Sequence, residues 1–182
     1  MKKIILIVLG LLLVFTTASF SAEPVPCASC SINGGGHVIE ETEGKRKDWH
    51  DISFGGWVME DDGVLSGDFQ ISFHNTGDDN FDKSKFSAMN IESANFYVGA
   101  DCNAMNFTAT GEFNGISDYT LIFRAGDSGS PNTSDTVRIE LKDPYDHTVY
   151  DTHDGDFADE SDCVGTARTG LDKGNITINI VP

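Results

Sequence analysis

The chain has 182 residues, with 29 Asp and Glu against 12 Lys and Arg, for a formal net charge of −17. Binding to nucleic acid or to anionic lipid draws on clustered Lys and Arg, so this balance excludes both. What remains open is an acidic, soluble module whose partners are other extracellular proteins, a second copy of itself, or polysaccharide.

The first 22 residues stand apart. Lys2 and Lys3 precede an apolar run from Ile4 to Phe15, and Ser19, Ser21 and Ala22 supply small residues. That order is a secretory signal, with cleavage expected after Ser21 or Ala22. The apolar run is shorter than the ~20 residues a spanning helix needs, and no later run is apolar enough to anchor the chain. No membrane insertion is expected, and the protein should be secreted, extracellular or periplasmic. About 160 residues then remain, a usual size for one domain.

Residues 23–33 read as an extended N-terminal arm carrying Cys27-Ala28-Ser29-Cys30. Redox chemistry by Cys-x-x-Cys calls for the pair at the head of a helix in a βαβ unit, whereas this pair follows Pro24-Val25-Pro26. Haem attachment would require His where Ser31 stands. In an exported chain the four cysteines read as disulfides. Of three pairings, closeness in sequence favours Cys27 with Cys30, which leaves Cys102 with Cys163. The second bridge closes a long loop and stabilises by roughly 4 kcal/mol on the chain-entropy argument. The arm is also expected to pair with a neighbour's exposed strand edge or to form an intermolecular disulfide.

Beyond the arm, short β-rich runs are separated by Gly, Asp, Asn and Ser. The predicted strands are 37–39, 52–59, 65–74, 86–91, 96–100, 105–113, 119–125, 136–141, 148–150 and 176–181. Phe69, Ile71 and Phe73 alternate with Gln70, Ser72 and His74; Val137, Ile139 and Leu141 alternate with Arg138, Glu140 and Lys142. Alternation of this kind marks strands with one buried face. Asp61-Asp62-Gly63 and Asn114-Gly115 carry the residues of tight hairpins. Only 83–89 has the makings of a short helix. Many short strands with turn residues between them predict an all-β fold, an antiparallel β-sandwich (immunoglobulin-like or jelly-roll-like), in a single domain over residues 34–182.

Gly126-Asp127-Ser128-Gly129-Ser130-Pro131 has the look of a serine-protease nucleophile loop, which makes a hydrolase with Ser128 as nucleophile the rival reading. That chemistry needs a base oriented by a carboxylate. None of the five histidines (His37, His50, His74, His147, His153) sits in the Thr-Ala-Ala-His-Cys setting of that family. The residues after Pro131 are polar instead of entering a buried strand. The loop reads as a connector between strands, and the protein as a non-enzyme.

Taken with its flanks, Tyr119-x-Leu121-x-Phe123-x-Ala125-x-Asp127-x-Gly129-x-Pro131 and then Asp135-x-Val137-x-Ile139 resembles the late hairpin of the post-COAP family. Gly34-Gly35-Gly36-His37, Ser53-Phe54-Gly55, Gly67-x-Phe69-Gln70, Phe107 to Gly111 and Gly174-Asn175-Ile176 resemble other parts of that family in the same order. The resemblance spans about Gly34 to Ile180. It implies an extracellular β-sandwich of bacteria or archaea, often attached to adhesive or enzymatic modules, and no particular reaction. Asn132 departs from the glycine often found after the proline, and the four cysteines are not a general family feature.

Asp127 and Asp135 bracket the loop, where turn aspartates accept amide hydrogen bonds. They are also candidate Ca²⁺ ligands, with Asp154 and Asp156 in the acidic run 151–162, because a hard cation wants several oxygens at a bend. The spacing matches no EF-hand. A carbohydrate-binding module is a further alternative. Among Trp49, Trp57, Tyr97, Tyr119, Tyr145 and Tyr150, most lie in strands, where large aromatics pack the core; Trp49 and Tyr145 are the expected exposed rings. The leading expectation is a secreted structural or binding module of the cell exterior, with Ca²⁺ as a candidate stabiliser.

Overall fold

A computed structural model describes residues 24–40, 50–75, 81–99, 102–129, 135–152 and 169–181. Ten strands make up these residues: β1 (Ser29–Glu40), β2 (His50–Asp61), β3 (Val64–Asn75), β4 (Lys85–Val98), β5 (Asn103–Phe113), β6 (Ile116–Asp127), β7 (Thr136–Lys142), β8 (Thr148–Asp151), β9 (Thr169–Gly170) and β10 (Lys173–Val181). No helix occurs among them, and Lys85–Met89, inside the expected short helix, is the first stretch of β4. The fold is all-β and antiparallel.

The strands form one hydrogen-bonded sheet in the order β10-β1-β2-β3-β4-β5-β6-β7-β8, with β9 also on β7. β2 and β3, and likewise β5 and β6, are neighbours because two-residue turns join them. Asp62 and Gly63 take φ of 47° and 77°, and Asn114 and Gly115 take 52° and 78°. Two left-handed residues in a row are the type I′ geometry that matches strand twist, and Asp-Gly and Asn-Gly suit it best. Two further features differ from the sequence reading. The runs 86–91 and 96–100 belong to a single strand, β4, whose ladder to β5 slips at Ala88/Asn90 and Ile91/Ser93; the breaks in alternation there are β-bulges. The arm also ends sooner than residue 33. Ser29–Asn33 already lie in β1, bonded to β10 on one side and β2 on the other, so these residues have no open edge to offer a neighbour.

The sheet curls. Between β3 and β4 only Gln70–Ser72 and Lys85–Ser87 pair, and the two halves diverge from that short joint. Phe54 (β2) then meets Phe123 (β6) with ring centroids 5.2 Å apart, and Phe69 (β3) meets Phe123 at 4.6 Å and Phe107 (β5) at 5.0 Å. A second aromatic group joins Phe73, Phe81, Phe113 and Tyr150. Each Phe buried here removes apolar area worth about 1.5–3 kcal/mol from water, so the concave face is the core. The curl brings β1 and β7 together where β9 hands over to β10. Thr169 and Gly170 pair with β7, whereas Lys173 pairs with His37 of β1. Only Leu171 and Asp172 intervene, donating their N–H groups to the carbonyls of Asp135 and His37. At most 3.8 Å separates successive Cα atoms, so β1 and β7 lie close together at that end.

Candidate functional site

Asp127 closes β6 and Asp135 precedes β7, and both carboxylates turn toward β10. The Ile178 N–H donates to Asp127 Oδ2 and the Ile176 N–H to Asp135 Oδ2, each at 2.8 Å. The other two oxygens hold the loop: the Gly129 N–H donates to Asp127 Oδ1 at 2.8 Å, and the Ser128 N–H to Asp135 Oδ1 at 3.2 Å. Asn103 Nδ2 adds a bond to the Ile178 carbonyl at 3.1 Å. β10 spends one edge on β1, and its other edge would show bare backbone donors, which cost free energy when buried unpaired. The two aspartates stand where another strand's carbonyls would be. These two of the four candidate metal ligands act as backbone clamps, and each of their four oxygens accepts an N–H.

Among the described residues no three His, Cys, Asp or Glu side chains gather as a metal group would. Asp154 and Asp156, the other two candidate ligands, lie outside the described residues. The Ser128 hydroxyl donates to Asp135 Oδ1 at 3.3 Å, while His37, His74 and His147 bond to Asp51, Ser53 and Asp143. Cys27 and Cys30 are joined as expected. Cys102 is disulfide-bonded too; Cys163, its expected partner, lies outside the described residues.

The sequence reading missed the outward face of β10, β1, β2 and β3. In β2 the side chains of Ile52, Phe54 and Val58 point into the core, so Asp51, Ser53, Gly55, Trp57 and Met59 point out. Trp57 is 41% exposed, against 0% for its neighbour Val58. Register aligns its surroundings in rows across four strands. One row is Thr177, Asn33, Trp57 and Asp68; the next is Asn175, Gly35, Gly55 and Gln70; on the other side run Asn179, Ser31, Met59 and Ser66. Opposed residues in such rows sit about 4.5–5.5 Å apart at Cβ. In a chain of net charge −17, Asp68 is the one charged residue of these three rows.

The glycine pair beside Trp57 shapes this face. A Cβ on Gly55 would meet only the Gly34 carbonyl oxygen, at 3.9 Å, so the space above it is open. A ring stands next to a floor without side chains, flanked by the exposed amides of Asn33, Asn175 and Gln70. Asn175 Nδ2 donates to Thr177 Oγ1 at 3.2 Å, which fixes two of the polar groups against each other. Tyr145 is exposed as expected, at 80%, but it sits in the β7–β8 turn; Tyr97 is buried and Trp49 lies outside the described residues.

One row further on, the face becomes titratable. His37 Nδ1 lies 3.3 Å from Asp51 Oδ1, His74 Nε2 lies 2.7 Å from Ser53 Oγ, and the two imidazoles stack at 6.3 Å with planes 15° apart. A Ser–His contact is the first part of a nucleophile, but Asp51 reaches the other imidazole.

Compared with known proteins, the chain matches no family model, no curated protein and no solved structure.

Proposed function

We propose that this chain is exported and acts at the cell exterior as a binding module, not an enzyme, through the outward face of β10, β1, β2 and β3. The order of basic, apolar and small residues in 1–22 supports export. In this reading the curled sheet is a two-layer sandwich, the architecture that the post-COAP resemblance implies. The observation that carries the proposal is Trp57: among the described residues nine phenylalanines are buried, while this large ring is kept at the surface among polar groups of which only Asp68, its partner on β3, is charged. Exposed aromatics ringed by polar side chains are the mark of recognition surfaces.

The Ser53–His74 contact favours a second reading, a hydrolase. Two measurements on the mature protein separate the readings. Fluorescently labelled protein is expected to bind producer cells saturably, and substitution of Trp57 by Ala is expected to abolish most of that binding. A fluorophosphonate probe is expected to leave Ser53 and Ser128 unlabelled. Stoichiometric labelling of either serine, or cell binding that ignores Trp57, would overturn the proposal.

A further inference from the structure

We infer that the ligand of this face is a neutral polysaccharide, one sugar ring of which stacks on Trp57 while the next lies over Gly35 and Gly55. The inference rests on the binding reading above and names its ligand class. Four observations converge on it. A pyranose presents an apolar face of C–H bonds and a rim of hydroxyls that both donate and accept, and a surface complementary to it needs a flat ring beside amides, which likewise do both. Trp57 supplies the ring, 41% exposed; Asn33, Asn175 and Gln70 supply the amides, in its own row or the next.

The floor supports the same ligand. Gly35 and Gly55 face each other across β1 and β2, so the row beside the ring has no side chains at its centre. A Gly35 Cβ would strike the Phe54 carbonyl oxygen at 2.8 Å, which accounts for that glycine by strand packing. Only the Gly34 carbonyl comes within 3.9 Å of where a Gly55 Cβ would stand, so the opening lies over Gly55. A chain of rings can therefore cross β1 and β2 without meeting a side chain. Finally, the charge pattern selects. Anionic polymers are repelled by a protein of charge −17, and a cationic ligand would find Asp68 alone in these rows. A neutral, polyhydroxylated chain fits what is left.

The test is affinity gel electrophoresis of the mature protein in gels containing soluble neutral polysaccharides (a β-glucan, a xylan, a galactomannan), with alginate and pectate as acidic polymers. At least one neutral polymer is expected to retard the protein, and retardation should change little with salt because no ion pairs are involved. Trp57→Ala is expected to weaken the interaction by about tenfold or more, as loss of a central aromatic does, with Trp57→Tyr keeping most of it. Gly55→Leu fills the floor and should weaken binding comparably; its melting temperature, measured alongside, reports whether the fold is kept. Tyr145→Ala should bind like the wild type. Retardation by acidic polymers only, or loss with Tyr145→Ala but not with Trp57→Ala, would overturn the inference. Cell binding that depends on Trp57 but is removed by protease treatment of the cells, with no neutral polymer bound, would overturn it too, and would leave the binding reading standing with a protein as the ligand.

Discussion

Asp135 shows how a residue's chemistry depends on what the fold brings past it. Its carboxylate is almost fully buried, and it accepts from the Ile176 N–H, the Ser128 N–H and the Ser128 hydroxyl. Removing it leaves the Ile176 amide buried with no acceptor from this side, a desolvation cost of about 1–3 kcal/mol. Asp135→Ala is therefore expected to lower unfolding free energy by about that amount in urea, with a smaller loss for Ser128→Ala, which keeps the carboxylate. The acidic bracket around the loop was visible in the sequence, but its purpose was not, because Ile176 is far along the chain and no local pattern says which edge will arrive. Trp57 was misjudged for a different reason. Its strand was rightly placed, and Phe54 and Val58, one parity apart from it, already put it on the outer face; membership of a strand was allowed to outweigh position within one.

At the scale of elements, the hairpins were the most legible part, since left-handed backbone at Asp62-Gly63 and Asn114-Gly115 leaves a chemical signature. The β7–β8 turn has another kind of staple. Asp143 Oδ1 accepts the N–H groups of Tyr145 and His147, each at 2.9 Å, and its second oxygen lies 3.3 Å from His147 Nδ1. The His147 amide, foremost among these, holds the Asp143 carboxyl below its usual value of 3.8. A carboxyl with a depressed pKa stabilises the fold fully above its unfolded value, and that contribution disappears as pH falls through the folded one. Asp143→Ala should therefore lower the melting temperature at pH 7, and the gap to wild type should narrow as pH drops below about 4; a gap that stays constant would assign the effect to packing alone. By contrast β1 was legible only over 37–39. Cys30 to Gly36 contains Ile32 as its one large apolar residue, and glycine is a poor strand former by itself, so the strand exists because β10 and β2 both pair with it. β9, two residues long, has no pattern to read.

Across the whole molecule, the antiparallel all-β class followed from alternation and turn chemistry, while the curl did not, because it depends on a three-residue joint between β3 and β4 that local sequence does not mark. Bridges between distant segments matter in such a sheet. Cys102 borders β5 and is disulfide-bonded; with Cys163, the partner expected from the sequence, it would close a long loop, whereas Cys27–Cys30 spans a separation of 3. On the chain-entropy argument a short loop restrains the unfolded chain less than a long one. Cys102→Ser is thus expected to cost about 2–4 kcal/mol in denaturant unfolding and Cys27→Ser distinctly less; equal losses would show that strain or packing, not chain entropy, sets the effect.

The passage from β9 to β10 has a consequence for how the protein is made. One flank of β1 is filled by residues 173–181, and the same residues dock on the aspartates at the end of β6 and the start of β7. A polypeptide emerging from its N-terminus has nothing to lay against that flank until residues 173–181 have followed. β1 is thereby left half-paired through most of synthesis, and the sheet takes its finished shape only when β10 arrives.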